Sequence, residues 1–291
     1  MSFFERFKKG KKTESVTAPA PGKSAAELYQ EAARCYKSGY YQQAASLLEH
    51  VIKADPESTA AHFSLARCYF KLIKGSNDEE DYRLSRRYAE LLERALELNE
   101  SHGGLEKSDV IDACFAVGVC YQMLREFPRS IEYLERCLEH DPTNIGALLH
   151  LSTSYHFRGH DKEALDKAVR AFHLDPSGDG VFSQLTSAAD WVGVEVATGL
   201  SMDKRHEIFR ELRAMQDRLF LEGGTLEAIQ REGTFGRGYP ADLQRILRVG
   251  GIESRDKAIQ AISARYHLED WGIAIIWQEG ERNARENQKQ G

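Results

Sequence analysis

Two arginines occupy matching places in a repeated motif and have the chemistry to bind carboxylates. The tetrapeptide Ala-Arg-Cys-Tyr occurs at residues 33–36 and again at 66–69, which puts Arg34 and Arg67 in equivalent positions. A guanidinium group presents a rigid fork of N–H donors that matches the two oxygens of a carboxylate. We therefore predict that the pair binds acidic groups of a partner. The alternative is that these arginines pair with an acid of the same chain, such as Glu27, or lie in solvent.

Catalytic and metal chemistry has little support in the sequence. His150, His156 and His160 cluster beside Asp161, but His156 and His160 straddle an expected helix end, so a structural role is favoured over metal ligation. Residues 232–238 are glycine-rich, yet no kinase catalytic motif follows them, so they predict a turn rather than a phosphate loop. The sequence has no Gly-x-Ser-x-Gly, His-Glu-x-x-His or Walker motif. We accordingly expect no enzymatic activity, no cofactor and no bound metal.

The arginine motif belongs to a pattern that recurs about every 34 residues. Cys-Tyr occurs at residues 35–36, 68–69 and 120–121, Ser-Tyr at 154–155, and Asp-Pro at 55–56, 141–142 and 175–176. The last two of these tyrosines, and the last two of these prolines, are 34 residues apart. Such a period is typical of stacked helix–turn–helix units, each of which buries its apolar face only against its neighbours.

Four of these units resemble the tetratricopeptide repeat family, in which small and aromatic residues hold set positions and a proline closes the unit. The fourth unit, residues 145–176, carries Gly159, Ala164 and Ala171 at small positions and Tyr155 at an aromatic one. Units one and three span 26–56 and 111–142, and unit two carries insertions at 73–82 and 101–108 that we interpret as surface loops. The resemblance covers roughly half of the chain. It implies an all-α fold: a right-handed α–α superhelix followed by a small helical C-terminal domain.

In this family the first helix of each pair lines a concave groove, and alignment on the tyrosines assigns ten candidate contacts to it. They are Arg34, Lys37, Phe63, Arg67, Phe70, Phe115, Val119, Leu149, His156 and Phe157. The resemblance therefore implies a protein partner, a peptide or a helix that is acidic at one end and apolar at the other. Chaperone-binding members use a clamp of Lys, Asn and Arg, but Asp112 stands at one clamp position here and would repel a terminal carboxylate.

Composition excludes several other classes of partner. The chain has 291 residues and a net charge of −6, so no basic face for nucleic acid is expected. No apolar run is long enough to predict a membrane span, and the mixed Phe and Lys residues of 1–12 predict a mobile tail rather than an anchor. The five cysteines lie in repeat helices without metal-ligand spacing, which favours small core residues in a reducing, cytoplasmic compartment.

The region after the fourth repeat is also predicted to be helical. Residues 179–200 indicate a diverged fifth unit, and 204–221 an amphipathic helix that caps the repeats. Three short helices are predicted at 242–249, 254–265 and 269–277, and the last two are similar to the end of a ubiquitin-associated bundle. Gly250-Gly251-Ile252 stands where that family has a Met-Gly-Phe loop, and the missing methionine argues against ubiquitin binding.

The predicted organisation has five parts and one main function. The parts are a tail at 1–24, repeats at 25–202, a capping helix at 203–222, a small helical domain at 223–280 and a polar tail at 281–291. The main prediction is a non-enzymatic protein-interaction module, a scaffold or assembly adaptor that holds a partner segment in its groove. One alternative is that the repeats regulate an enzymatic or regulatory C-terminal domain. The other is self-assembly into a homo-oligomer, with the groove taking the N-terminal tail or a helix of a neighbouring copy.

Overall fold

The computed structural model describes residues 23–73, 78–222 and 241–290, and every regular element in these ranges is an α-helix. The N-terminal tail and the glycine-rich stretch at 232–238 lie outside the described residues. The helices are α1 Ala25–Lys37, α2 Tyr41–Ala54, α3 Thr59–Leu72, α4 Glu79–His102, α5 Lys107–Met123, α6 Phe127–His140, α7 Ile145–Phe157, α8 Asp161–Leu174, α9 Asp179–Val192, α10 Val194–Thr198, α11 Met202–Glu222, α12 Ala241–Tyr266 and α13 Asp270–Gln290.

Consecutive helices pack as pairs, and the predicted all-α repeat fold is confirmed. Contacts run from α1 to α2, from α2 to α3 and onward to α6 within a first compact unit that ends at Ser154. A second compact unit begins at Tyr155. Within the described ranges, no helix is long and apolar enough to cross a membrane.

Local sequence signals fix where the repeat helices begin and end. Ser24 and Glu27 form a capping box at the start of α1, with the Glu27 amide donating to Ser24 Oγ at 3.3 Å and the Ser24 amide to Glu27 Oε2 at 2.8 Å. Asp55 and Asp141 each follow a second helix, and each accepts a hydrogen bond from the amide two residues on, at 3.2 and 3.1 Å. The recurring Asp-Pro pair is thus a turn: proline cannot continue the helix and aspartate binds the freed backbone.

Small residues let the paired helices approach each other closely. A Cβ atom on Gly118 of α5 would lie 2.5 Å from Leu134 Cγ of α6 and 3.2 Å from the Leu134 backbone nitrogen. Leu134 is fully buried, and so is Ala66 of α3. The repeat resemblance implies small residues at set positions, and Gly118 is one at which a larger side chain would not fit.

A buried carboxylate joins three helices of the first unit. Glu93 of α4, which is 8% exposed, accepts a hydrogen bond from Tyr121 Oη of α5 at 2.8 Å and one from Arg129 of α6 at 2.7 Å. Arg129 also covers the Tyr121 ring, with its guanidinium carbon 4.2 Å from the ring centroid. Burial and the Glu93 carboxylate raise the pKa of Tyr121, so its phenol stays a donor. A charge in this position is tolerated only because both partners are present.

Unit two of the repeats differs from its prediction because the inserted residues are partly helical. Helix α4 runs for 24 residues, Glu79–His102, so it takes up the end of the first insertion and the start of the second. Asp78 caps it by accepting a hydrogen bond from the Asp81 amide at 2.8 Å, and three acids follow in the first turn. Acids there interact favourably with the helix dipole, which extends the helix upstream.

The predicted trio of short C-terminal helices is wrong. Residues 241–266 form the single helix α12, and Gly251 lies inside it with open space around its Cα, so no loop separates two helices there. A single glycine weakens a helix by only about 1 kcal/mol, which packing against neighbours overcomes. The similarity to a ubiquitin-associated bundle, which depended on that loop, therefore fails.

The last helix continues well past the predicted end at residue 277. Helix α13 runs to Gln290 and includes most of the stretch that was predicted as a polar tail. Ion pairs hold this part to its neighbours: Arg282 binds Asp190 of α9 at 2.6 Å, and Glu281 pairs with Arg213 of α11. One turn before Arg213, Phe209 of α11 packs against Gly280, whose lack of a side chain leaves room for the ring. The amphipathic helix predicted at 204–221 is confirmed as α11.

Replacing Gly118 with alanine should destabilise the first unit by about 1–2 kcal/mol. The added methyl group must displace fully buried Leu134, which outweighs the gain in helix propensity. Thermal and urea unfolding of the full chain would measure the effect. The control is Gly251→Ala in α12, where the methyl group meets nothing within 4 Å and should be neutral or slightly stabilising. Equal effects of the two substitutions would show that close approach at Gly118 is unimportant.

Candidate partner-binding site

The first helices of successive pairs share one face of the first unit, which we call the inner face and define by α1, α3, α5 and residues 145–154 of α7. Tyr29 of α1 is hydrogen-bonded to Ser64 of α3 at 2.9 Å between their hydroxyl oxygens. Further along, the Phe115 ring of α5 makes an edge contact with His150 of α7 at 5.7 Å between centroids. The inner face therefore consists of neighbouring side chains from helices that are not consecutive in sequence.

A pocket of about 300 Å³ opens between α1 and α3 at one end of the inner face. Tyr29 and Tyr36 supply aromatic rings, Ala32 and Ser64 supply small side chains, and Arg67 lies across the Tyr36 ring at 5.3 Å from the centroid. Lys37 also lines the pocket. This combination of apolar rings with cations can hold a bulky apolar side chain beside an acidic group.

The cations at this end have no carboxylate partner within the described part of the chain. Arg34, Lys37 and Arg67 are exposed, and none of the ion pairs of the described residues includes them. Glu27, the acid that could have paired with Arg34, instead completes the capping box, where hydrogen bonds to Ser24 lower its pKa. The internal pairing that the sequence left open is therefore not formed.

The remaining predicted contacts of the first unit differ in how far they are buried. Phe63 and Leu149 are half-buried, as are Phe70, which packs on Tyr88 at 5.5 Å, and Phe115. Val119 differs from the prediction because it is only 3% exposed: α5 is buried on most sides, so this side chain fills the core.

His156 and Phe157 belong to the second compact unit and so are not among the residues brought together on the inner face. The His156 ring stacks on Trp191 at 3.8 Å between centroids, and its Nδ1 lies 2.8 Å from Asp161 Oδ1. These contacts position the His156 ring within the second unit, and its part in partner binding stays a prediction. Phe157 is 51% exposed, and its part in binding stays a prediction.

Two acids lie at the start of α5, farther along the inner face. Asp109 and Asp112 both fall in the opening turns of this helix, and no basic side chain of the described ranges forms an ion pair with either of them. Partial burial, and then the charge of Asp109, raise the pKa of Asp112. The repeat alignment also places Asp112 on the groove face, although it is not one of the ten candidate contacts.

His150 is held as a neutral ring in one tautomer. The side-chain nitrogen of Gln122 donates to the His150 carbonyl and to Ser154 Oγ, both at 2.8 Å, so its oxygen is left to accept from His150 Nδ1–H at 2.6 Å. Burial lowers the pKa of His150, which is consistent with the neutral form. The neutral ring therefore carries its free lone pair on Nε2.

Sequence reasoning missed the pocket itself. Tyr36 served only to align the repeats, and neither Tyr29 nor Ser64 was among the ten candidate contacts. The only signal was that the arginine motif places a tyrosine two residues after each arginine. No group of three or more His, Cys, Asp or Glu side chains in the described ranges is arranged to hold a metal ion.

Comparison with known proteins supports the repeat assignment. Tetratricopeptide repeat models match residues 36–74 and 111–144 of the chain. No curated protein gives a significant match.

Three solved structures with similar folds are compared with this chain below. A crystal structure of MamA protein is 17% identical, with a TM-score of 0.48, over 58% of this chain and 82% of that one. YrrB, described as a TPR protein with an unusual peptide-binding site, is 16% identical, with a TM-score of 0.47, over 58% and 77%. MamA from Desulfovibrio magneticus RS-1, from residue 41 to its end, is 16% identical, with a TM-score of 0.45, over 58% and 86%.

His150 should make the stability of the first unit depend on pH in the acid range. Its folded-state pKa is lowered by burial, so the unfolded chain binds more protons and the free energy of unfolding falls as the pH drops below about 6.5. His150→Gln should flatten this slope, by at most about 1.4 kcal/mol per pH unit. Urea unfolding between pH 7.5 and 5 would measure it.

The matched control is His140→Gln on α6. His140 is exposed, so its substitution should leave the wild-type slope unchanged. A wild-type slope in the His150 variant would mean that this ring is not the group responsible.

Proposed function

We propose that this chain, which belongs to the tetratricopeptide repeat family through residues 36–74 and 111–144, holds a segment of a protein partner on its inner face as a scaffold or assembly adaptor. The observation that carries the proposal is the pocket between α1 and α3, where aromatic rings stand beside cations that form no ion pair with a carboxylate of the described residues. Tetratricopeptide repeats are protein-interaction modules, and the pocket supplies a place for the contact.

The pocket and the cations have different roles in such a contact. A large apolar side chain that entered the space between Tyr29 and Tyr36 would remove apolar surface from water, and this supplies most of the binding free energy. Arg34, Lys37 and Arg67 are exposed, so their ion pairs are screened and contribute about 1 kcal/mol each at most. Their main effect is to select acidic partners and to speed association.

A binding role needs no catalytic step, since binding alone explains the pocket. The cysteines bear on where such a protein would work. The five cysteines are free thiols, and four of them are buried, which supports a reducing location such as the cytoplasm.

Reversing two of the cations should weaken binding strongly and leave the fold intact. The variant Arg34→Glu/Arg67→Glu places two carboxylates where acidic groups of the partner are expected, so affinity should fall at least tenfold. Both side chains are exposed, so thermal unfolding should change little. Capture from native lysate on wild-type and variant chains would identify the protein that is lost, and titration of that protein would give the affinity ratio.

A control with the same change of net charge separates a local effect from a general one. Lys53→Glu/Arg94→Glu reverses two exposed cations on second helices and should retain the partner. A partner that both double variants bind as tightly as the wild type would exclude the inner face. Recovery of a second copy of the chain would point to self-assembly, which light scattering with and without residues 1–23 would test.

A further inference from the structure

The pocket between α1 and α3 combines an apolar lining with two exposed cations. Its lining includes Leu48 and Cys68, which are 2% and 0% exposed. Burial raises the pKa of the Cys68 thiol to about 12, so this group is neutral. The charged side chains that line the pocket are Lys37 and Arg67. The group that fits best is therefore a large apolar side chain with an acid close beside it.

The chain carries such a combination in its own first residues. Residues 1–22 precede the described part of the chain, and their sequence begins Met-Ser-Phe-Phe-Glu-Arg-Phe. In an extended segment, alternate side chains face the same side. Phe3, Glu5 and Phe7 would then share one face, with the acid between two aromatic rings. We call residues 3–7 the N-terminal segment.

The basic residues near this segment do not prevent a contact with the pocket cations. Arg6 and Lys8 fall on the opposite face of an extended segment. Lys9 follows Glu5 by four residues, or about 13 Å of extended chain, which exceeds the Debye length of about 8 Å at physiological salt. The attraction between Glu5 and the pocket cations is therefore the charge contact of shortest range in this arrangement.

The connection to α1 is long enough for the segment to reach the pocket of the same molecule. Helix α1 begins at Ala25 and forms one wall of the pocket, from Tyr29 to Lys37. The far end of that wall lies about 18 Å from the start of the helix. Phe7 precedes Lys23 by 16 residues, and a chain of that length can extend over about 50 Å.

We propose that the N-terminal segment occupies the pocket of its own molecule when no partner is bound, with the ring of Phe3 or Phe7 in the pocket and Glu5 beside Arg67. This inference rests on the proposed function, because it makes the segment an internal competitor of the partner. A short tether gives an effective concentration of about 1 mM, so a contact with a dissociation constant of about 0.1 mM is formed about nine times in ten. The partner then binds about tenfold more weakly than it would bind an empty pocket.

The test measures how a fluorescent peptide of residues 1–12 binds to the full chain, by anisotropy. In the segment variant Phe3→Ser/Glu5→Lys/Phe7→Ser the internal competitor is lost. The peptide should therefore bind this variant about tenfold more tightly than it binds the wild type. Equal affinities for the two chains would overturn the proposal.

A control with the same change of net charge separates the segment from its surroundings. Phe4→Ser/Glu14→Lys removes a ring from the other face and reverses an acid outside the segment, so this chain should bind the peptide as weakly as the wild type does. A control that binds as tightly as the segment variant would show that net charge, rather than the shared face of rings and acid, is responsible.

Charge reversal then places the peptide in the pocket. Arg67→Glu, added to the segment variant, should weaken the peptide about fivefold, since an attraction becomes a repulsion of similar size. A peptide that carries Glu5→Lys should regain the lost affinity, which also shows that the variant is folded. A peptide that is indifferent to Arg67→Glu would refute this contact.

Sedimentation at the same concentrations identifies whose segment fills the pocket. We expect the wild type to be as monomeric as the segment variant. Dimers that only the wild type forms would show that the segment enters a second copy, and would overturn the internal contact.

The outcomes also separate this inference from the proposed function. A partner that is lost in Arg34→Glu/Arg67→Glu, but binds the wild type and the segment variant equally, would leave the pocket as the partner site and refute the internal competitor. A partner that binds all three chains alike would refute both.

Discussion

The close approach of paired helices is the constraint on which the rest of the structure depends. At Gly118 the backbone of α5 comes so near α6 that even a methyl group would meet Leu134 at 2.5 Å. Small side chains are also buried elsewhere in the first unit, as at Ala61 and Ala66 of α3. Because protein interiors are close-packed, these contacts fix the spacing of the first helices, and that spacing sets the distance between the groups on the inner face.

The distribution of charge follows from the same packing. Where α4, α5 and α6 meet, Glu93 is taken out of water and is stabilised by Tyr121 and Arg129. Around it, Arg86 of α4 pairs with Glu126, and Arg136 of α6 pairs with Glu100 of α4. Packing therefore uses complementary charges on one layer of helices to hold the unit together. The first helices differ from one another: α1 is amphipathic and exposes Arg34 and Lys37, whereas α5 is buried on most sides.

What could be predicted from the sequence depended on periodicity. The helix pairs, the turns at Asp55 and Asp141, and the small residue at Gly118 all follow from a repeat that is visible in four copies. The region after residue 222 has no repeat, so its interpretation depended on local signals. Gly250 and Gly251 suggested a break, but a helix of 26 residues, α12, passes through them, since packing against α11 outweighs a weak preference.

The sequence predicted part of the candidate site, because that part also follows from the repeated motif. Helical spacing placed Arg34 and Arg67 on one face, because each arginine precedes its tyrosine by two residues in the same motif. It could not show that Val119 is buried, since that depends on how many neighbours surround α5. Nor could it reveal the pocket, which exists only where Tyr29 and Tyr36 of one helix face Ser64 of another.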